Sequence, residues 1–403
     1  MSDILEGLNS QQQQAVTYTG SPLLLLAGAG SGKTRVLTHR AAYFVDQKIA
    51  KPSQILLLTF TNKAAGEMKQ RMSKLLPDTA GKSKLPVSAI NLWAGTFHSF
   101  CCRVLRRDGR HIGVDPEFVI YDTSDQEDLI KSSLLDLNLS PKEFKPSSLL
   151  YFIEAAKNNF KTPADTISES RGFWQEYASR VYRVYQQKLE EYQALDFDDL
   201  LFKTVRLFIE HPQILDKYQD IYRFILVDEY QDTNQIQYLL TKLLAQKYHQ
   251  LTAVGDASQA IYGWRGADFK NLMNLTLDFK DTKIINLEQN YRSTQIILDA
   301  ANSVISKNIS HPVLKLFTQK QSQDKIKLYE ADSEIAEAEF VAQKIKFIQA
   351  NHRIPLRNIA VLYRMNAQSR VIEEAFLKYS LPYVLIGGTR FYERAEIKDI
   401  LAM

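Results

Sequence analysis

Cysteine is nearly absent from these 403 residues: there are two, Cys101 and Cys102, side by side. A disulfide between sequence neighbours is strained, so no disulfide framework is available, and a reducing compartment is expected. Long apolar runs are also missing. The longest, Leu23–Ala27, falls far short of a membrane span, and the polar stretch Met1–Gln14 has no apolar core of the kind a secretion signal needs. Charge of one sign is lacking as well. Fifty basic residues face 46 acidic ones, for a net charge of +4, so bulk electrostatics argue for no particular partner. These absences lead us to expect a cytoplasmic, soluble protein whose function rests on local motifs.

Apolar residues make up 45% of the chain and charged residues 24%, enough for large cores, and the length implies two or three domains. Short apolar runs alternate with helix-period stretches: Leu23–Ala27, Ile55–Thr59, Phe224–Val227, Thr252–Val254 and Ile284–Leu287, then Ile326–Tyr329, Ile359–Tyr363 and Tyr383–Ile386. Continuous apolar strands between helices predict an α/β fold, a parallel sheet covered on both faces. The stretch 106–195 breaks that rhythm. In it Ala178, Val181, Tyr182, Tyr185, Leu189 and Tyr192 recur at helical spacing, which we read as a core-facing stripe. The expected organisation is a discontinuous first sheet domain (1–105 and 196–281), an inserted helical domain (106–195), a partial second sheet domain (282–388) and the start of a second helical insertion (389–403).

The strongest motif joins an apolar strand to a helical stretch through Ala27, Gly28, Ala29, Gly30, Ser31, Gly32, Lys33 and Thr34. Glycines allow backbone N–H groups to curl around phosphate oxygens, and the following helix points its positive end at the same anion. Lys33 is then expected at the β/γ phosphates and the Thr34 hydroxyl on Mg2+, which makes ATP the expected ligand. Ala27 stands where the strict pattern has glycine. A second apolar strand, Phe224–Val227, runs into Asp228 and Glu229. Carboxylates there emerge at the carboxyl edge of a parallel sheet, Asp228 to complete the magnesium shell and Glu229 to orient or deprotonate the attacking water.

Asp228-Glu-Tyr-Gln-Asp-Thr233, together with the phosphate loop, resembles the UvrD/Rep/PcrA group of superfamily 1 helicases. The likeness runs from Leu8 to about Leu401 and takes in Thr59–Ala65, Gly95–Ser99, Leu195–Leu201, Val254–Asp268, Leu287–Ser293 and Ile359–Arg364 with Asn366. It implies RecA-like sheet domains and an ATP-driven motor moving 3′ to 5′ on single-stranded DNA, acting at single/double-strand junctions and unwinding duplex. It further implies that Gln12 reads the adenine edge, Tyr291 stacks on adenine, Arg35 lies beside the nucleotide, Gln259 senses the γ-phosphate and Arg292 acts as an arginine finger from the second sheet domain.

For the DNA strand the resemblance implies Phe60, His98, Tyr262, Trp264, Arg265, Arg364 and Asn366, the mixture of aromatic faces and basic groups that single strands require. Trp264 in a Gly/Arg-flanked loop favours stacking over packing; Phe60 and His98 fit a structural role equally well. Ser258 departs from the acidic residue common at that place in relatives. Motifs that follow the second helical insertion in relatives are missing, so the isolated chain is expected to bind ATP while hydrolysing and unwinding poorly. A second reading follows, of a truncated ATP- and DNA-binding module with little turnover.

Overall fold

A computed structural model of the chain describes residues 3–20, 22–76 and 92–386. They form two compact units, divided between Gln323 and Asp324.

In the first unit the elements run α1 (Ser10–Thr17), β1 (Leu23–Ala27), α2 (Lys33–Asp46), β2 (Ile55–Thr59), α3 (Asn62–Leu75), β3 (Trp93–Thr96) and α4 (Phe97–Asp108). Next come β4 (Val119–Ile120), α5 (Thr123–Asp136), α6 (Pro146–Asn158), α7 (Pro163–Glu169), α8 (Phe173–Glu191), β5 (Ala194–Leu195), α9 (Phe197–Glu210) and α10 (Pro212–Ile221). The unit closes with β6 (Phe224–Val227), α11 (Gln235–Ala245), β7 (Leu251–Gly255), α12 (Lys270–Asp278), β8 (Lys283–Leu287) and α13 (Gln295–Ile305).

Six strands make one parallel sheet in the order β3-β2-β6-β7-β1-β8. Their side chains alternate between two cores, as the pleat requires. Leu23, Leu25, Ala27, Ile55 and Leu57 point to the face covered by α1, α2 and α3, whereas Leu24, Leu56, Leu58, Ile225 and Val227 meet α4, α9, α10 and α11. Burial on both faces explains why these strands read as unbroken apolar runs. Because all six are parallel, the segments after β1, β2, β3, β6, β7 and β8 leave at one carboxyl edge.

Helices α5 to α8 enclose a separate core of Leu129, Ile130, Leu134, Leu149, Ile153, Ala178, Val181, Tyr182, Tyr185 and Leu189. The tyrosine stripe of α8 is therefore packing, as read from its spacing, except that Tyr192 is exposed. A two-residue parallel pair, β4 with β5, closes this insertion. Helix α4 stays on the sheet and continues to Asp108, past the expected boundary at 106.

Two expectations fail. Strand β8, assigned to a second sheet domain beginning at 282, is the edge strand of the first sheet, with Leu23 opposite Lys283 and Ala27 opposite Leu287. Its Ile285 and Leu287 fill the α1/α2-side core while Ile284 is exposed, and this one-sided burial suits an edge position. The second unit, by itself, is built on α14 (Glu334–His352) against α15 (Ser369–Lys378), through Ala338, Ala342, Ile345, Ala375 and Phe376. Among the described residues, the three strands expected there, Ile326–Tyr329, Ile359–Tyr363 and Tyr383–Ile386, form no ladder. Ile359 and Val361 pack on the helices while Leu362 is 93% exposed, so the alternation is real and its inner face meets a helix surface. The expected start of a second helical insertion at 389–403 lies outside the described residues.

Candidate nucleotide and DNA site

The loop after β1 is closed by its own hydrogen bonds: the Ser31 amide and hydroxyl both donate to the Gly28 carbonyl, at 3.2 and 2.8 Å. Gly30 and Gly32 take φ of +68° and +87°, the left-handed region that glycine enters without a Cβ penalty. Gly32 is also the N-cap of α2, so Lys33 and Thr34 open that helix, where unpaired N–H groups and the helix dipole favour an anion.

Across the sheet edge, the residues following β6 and β7 converge on these two side chains. The Lys33 ammonium donates to Glu229 Oε2 at 2.6 Å and to Gln259 Oε1 at 3.3 Å. The Thr34 hydroxyl donates to Asp228 Oδ2 at 2.9 Å. Glu229 sits at φ +51°, an uncommon conformation for a residue with a side chain. Burial, then the neighbouring Glu229 charge, raises Asp228 to a pKa of about 6. A divalent cation there would favour the ionised form. The donors at hand, one hydroxyl and one carboxylate, are hard oxygens, and magnesium is usually held by one or two carboxylates with phosphate and water completing the shell. The residues therefore fit magnesium.

Sequence reasoning missed the polar frame that holds these groups. Gln231 donates to Glu229 Oε2 at 2.9 Å and to Asp232 at 3.1 Å, and accepts the Asp256 amide at 3.0 Å, tying the β6 loop to the β7 loop. Asp256 in turn accepts from the Gln259 side chain. Asn290 donates to the Ala29 carbonyl at 2.6 Å, and the Tyr291 amide donates to the Gly30 carbonyl at 2.9 Å. The only trace of this frame in the sequence is the run of amides, Gln231, Asn234, Gln259, Gln289 and Asn290, after strand ends. Arg40, buried in α2, was missed as well. It donates to the Ala15 and Tyr18 carbonyls and to Thr252, fixing the exit of α1 against the sheet. Burial lowers its pKa to about 9.

Gln12 is buried on α1, where its side chain donates to the Ser31 carbonyl at 2.9 Å and completes a capping box with Asn9. Asn9 also donates to the Tyr291 hydroxyl at 2.9 Å, which places Gln12, the phosphate loop and Tyr291 in one cluster. Arg35 is exposed on α2. Arg292 lies on the loop after β8, within the first compact unit; its Cβ lies against Gly30.

Among the DNA candidates, Phe60 and Tyr262 stack face to face, centroids 6.1 Å apart and 9° from parallel, at the edge beside β2. Trp264 is 65% exposed in a short 3-10 turn; the side chain of Arg265, in the same turn, lies outside the described part of the structure. His98 packs edge-on to the exposed Phe197, and burial lowers its pKa below the usual histidine value. Arg364 and Asn366 lie in the second unit, where the Gln368 side chain accepts from the Arg364 amide.

A family model, the UvrD/REP helicase N-terminal domain, matches residues 8–280, and the UvrD-like helicase C-terminal domain matches 285–403. The chain belongs to the UvrD/REP helicase family. Within that family the chain is similar to proteins named ATP-dependent DNA helicase PcrA. It is 47% identical over 402 residues to that of Staphylococcus aureus (strain Mu50 / ATCC 700699) and 48% identical over 401 residues to that of Bacillus subtilis (strain 168). In both cases the match covers 100% of this chain but 54% and 53% of the relative, so the chain spans about half the length of the UvrD/REP relatives it matches. The family junction near 280–285 falls at β8, earlier than the spatial division after Gln323.

Proposed function

We propose that this protein is an ATP-dependent DNA helicase motor that translocates 3′ to 5′ on single-stranded DNA. The observation that carries the reading is the convergence of Lys33, Thr34, Asp228, Glu229 and Gln259 at one sheet edge, with Tyr291 and Arg292 tied to the same loop.

In this reading, the amides of Gly28–Thr34 and the Lys33 ammonium receive the β- and γ-phosphates. Lys33 then exchanges Glu229 for phosphate oxygens, and the freed Glu229 carboxylate orients a water and takes its proton. Thr34 and Asp228 hold magnesium, which when bound neutralises charge on the phosphate oxygens. Gln12 meets the adenine edge and Tyr291 its face, with Arg35 alongside. Arg292 supplies a guanidinium to the charge that develops on the transferred phosphoryl group. Gln259 lies three residues before Tyr262 and five before Trp264, so a change at the γ-phosphate is passed along one short loop to groups suited to stack on bases. Phe60 extends that platform, and His98, Arg265, Arg364 and Asn366 are the further contacts proposed for the strand.

The test is steady-state ATP hydrolysis with and without oligodeoxythymidylate, together with unwinding of duplexes carrying a 3′ or a 5′ tail. Stimulation by DNA and a requirement for the 3′ tail are expected. ATP turnover indifferent to DNA, or unwinding only from 5′ tails, would refute the reading.

A further inference from the structure

Helix α4 leaves the sheet's carboxyl edge directly after Thr96, which caps it, and carries His98 in its first turn. Its buried face, Phe97, Phe100, Cys101, Val104 and Leu105, fills the core. Its exposed face presents Ser99, Arg103, Arg106 and Arg107, which with Cys102 line a shallow groove of about 450 Å³. Arg103 and Arg106/Arg107 are one turn apart, about 5 Å along the axis.

These three arginines, grouped on one groove, differ from several surface cations of the first unit. Arg180, Arg206, Lys131, Lys242 and Lys247 each have a carboxylate partner. Among the described residues, Arg103, Arg106 and Arg107 have no carboxylate within ion-pair distance. The one acid of α4, Asp108, is turned inward and taken up by Lys217 at 2.7 Å and Tyr218 at 2.6 Å. What Arg106 does touch is the ring of Phe118, 5.4 Å from its guanidinium carbon. The groove thus concentrates positive charge on a partly apolar floor and leaves guanidinium donors for an outside acceptor. Guanidinium groups spaced along a ridge match a repeating line of phosphates.

We propose that this groove binds the phosphodiester backbone of a DNA strand continuing beyond the edge at Thr96–Ser99, as a track down the flank of α4. The proposal rests on the DNA reading above and extends it to a surface outside the aromatic platform. The contacts are to backbone only, so they add affinity and salt dependence without base preference.

The experiment measures fluorescence anisotropy of a short and a long labelled oligodeoxythymidylate over a salt series. It compares the parent protein with R103E/R106E/R107E and with R103K/R106K/R107K, using binding of a fluorescent ATP analogue to monitor folding. For the long oligonucleotide, the Glu variant is expected to show a log-affinity versus log-salt slope shallower by roughly 2, from three lost contacts at about 0.7 each on single strands. The Lys variant is expected to keep the parent slope, and short-oligonucleotide and ATP-analogue binding should be unchanged in both. A parent slope in a Glu variant that binds DNA normally overturns the track and leaves the motor reading intact. If the parent itself binds no DNA at any salt, the motor reading fails and the track with it.

Discussion

Two lysine–carboxylate clusters in the first unit use the same chemistry to opposite ends. Lys33, at the sheet edge, meets one carboxylate, that of Glu229, which is 36% exposed. Lys157, at the end of α6, is 1% exposed and pairs with Asp196 at 2.6 Å and Asp199 at 2.9 Å, while the Tyr185 hydroxyl also donates to Asp196. Burial by itself would lower the Lys157 pKa, but the Asp196 and Asp199 charges outweigh it and hold the ammonium above the usual lysine range. One cluster is partly open to solvent and, in the proposed function, trades its partner for a phosphate. The other is saturated and joins the inserted helices to α9, so it can only be broken. A buried ion pair is weak evidence of stabilisation, yet removing one member strands the other in a poor solvent.

The comparison can be tested from both sides. E229Q should lose about 10²–10⁴-fold in ATP turnover, the range of a general base, with little change in melting temperature; turnover within a few-fold of the parent would move the base elsewhere. K157M should do the reverse, losing about 3–5 kcal/mol of stability in denaturant titrations while the folded protein still binds an ATP analogue. Equal stability in that variant would show that the junction needs no cation. Q259A should reduce the DNA stimulation of hydrolysis by roughly 2- to 30-fold, a coupling of ordinary size, with basal turnover nearly unchanged; full stimulation would remove Gln259 from the pathway between phosphate and strand.

The smallest effect concerns pH. Burial, then Asp196, raises Asp198 beside the Lys157 cluster to a pKa of about 8, from 3.8 for an isolated aspartate. The folded state therefore holds a proton that the unfolded chain releases. This group's contribution is fully present below about pH 4 and is lost as pH rises toward 8. The melting temperature of D198N should accordingly fall less than the parent's between pH 5 and 8; parallel curves would remove Asp198 as the cause.

The phosphate loop and the Asp228/Glu229 pair were legible because each follows an apolar strand, and a parallel sheet delivers every strand end to one edge. Gly30 and Gly32 carry their conformational reason in their own residue type. Strand β8 was misassigned because Lys283–Leu287 has the same alternation whichever sheet it joins; partner choice is decided by tertiary packing, here of Ile285 and Leu287 beneath α1. The runs near Ile359 and Tyr383 failed for a related reason, since alternation reports two unlike faces and does not require a neighbouring strand. Asn9, Gln231 and Asn290 were missed because a short amide is informative only once the loops it bridges are in place.

The contact between Gly30 and the arm after β8 limits what the phosphate loop can become. A methyl group at residue 30 would sit 2.7 Å from both the Arg292 Cβ and the Asn290 amide nitrogen, in a backbone conformation side chains rarely adopt. The arm bearing Tyr291 and Arg292 therefore rests on a bare stretch of main chain. Bulk added there would displace both residues together while leaving the two side chains themselves unchanged.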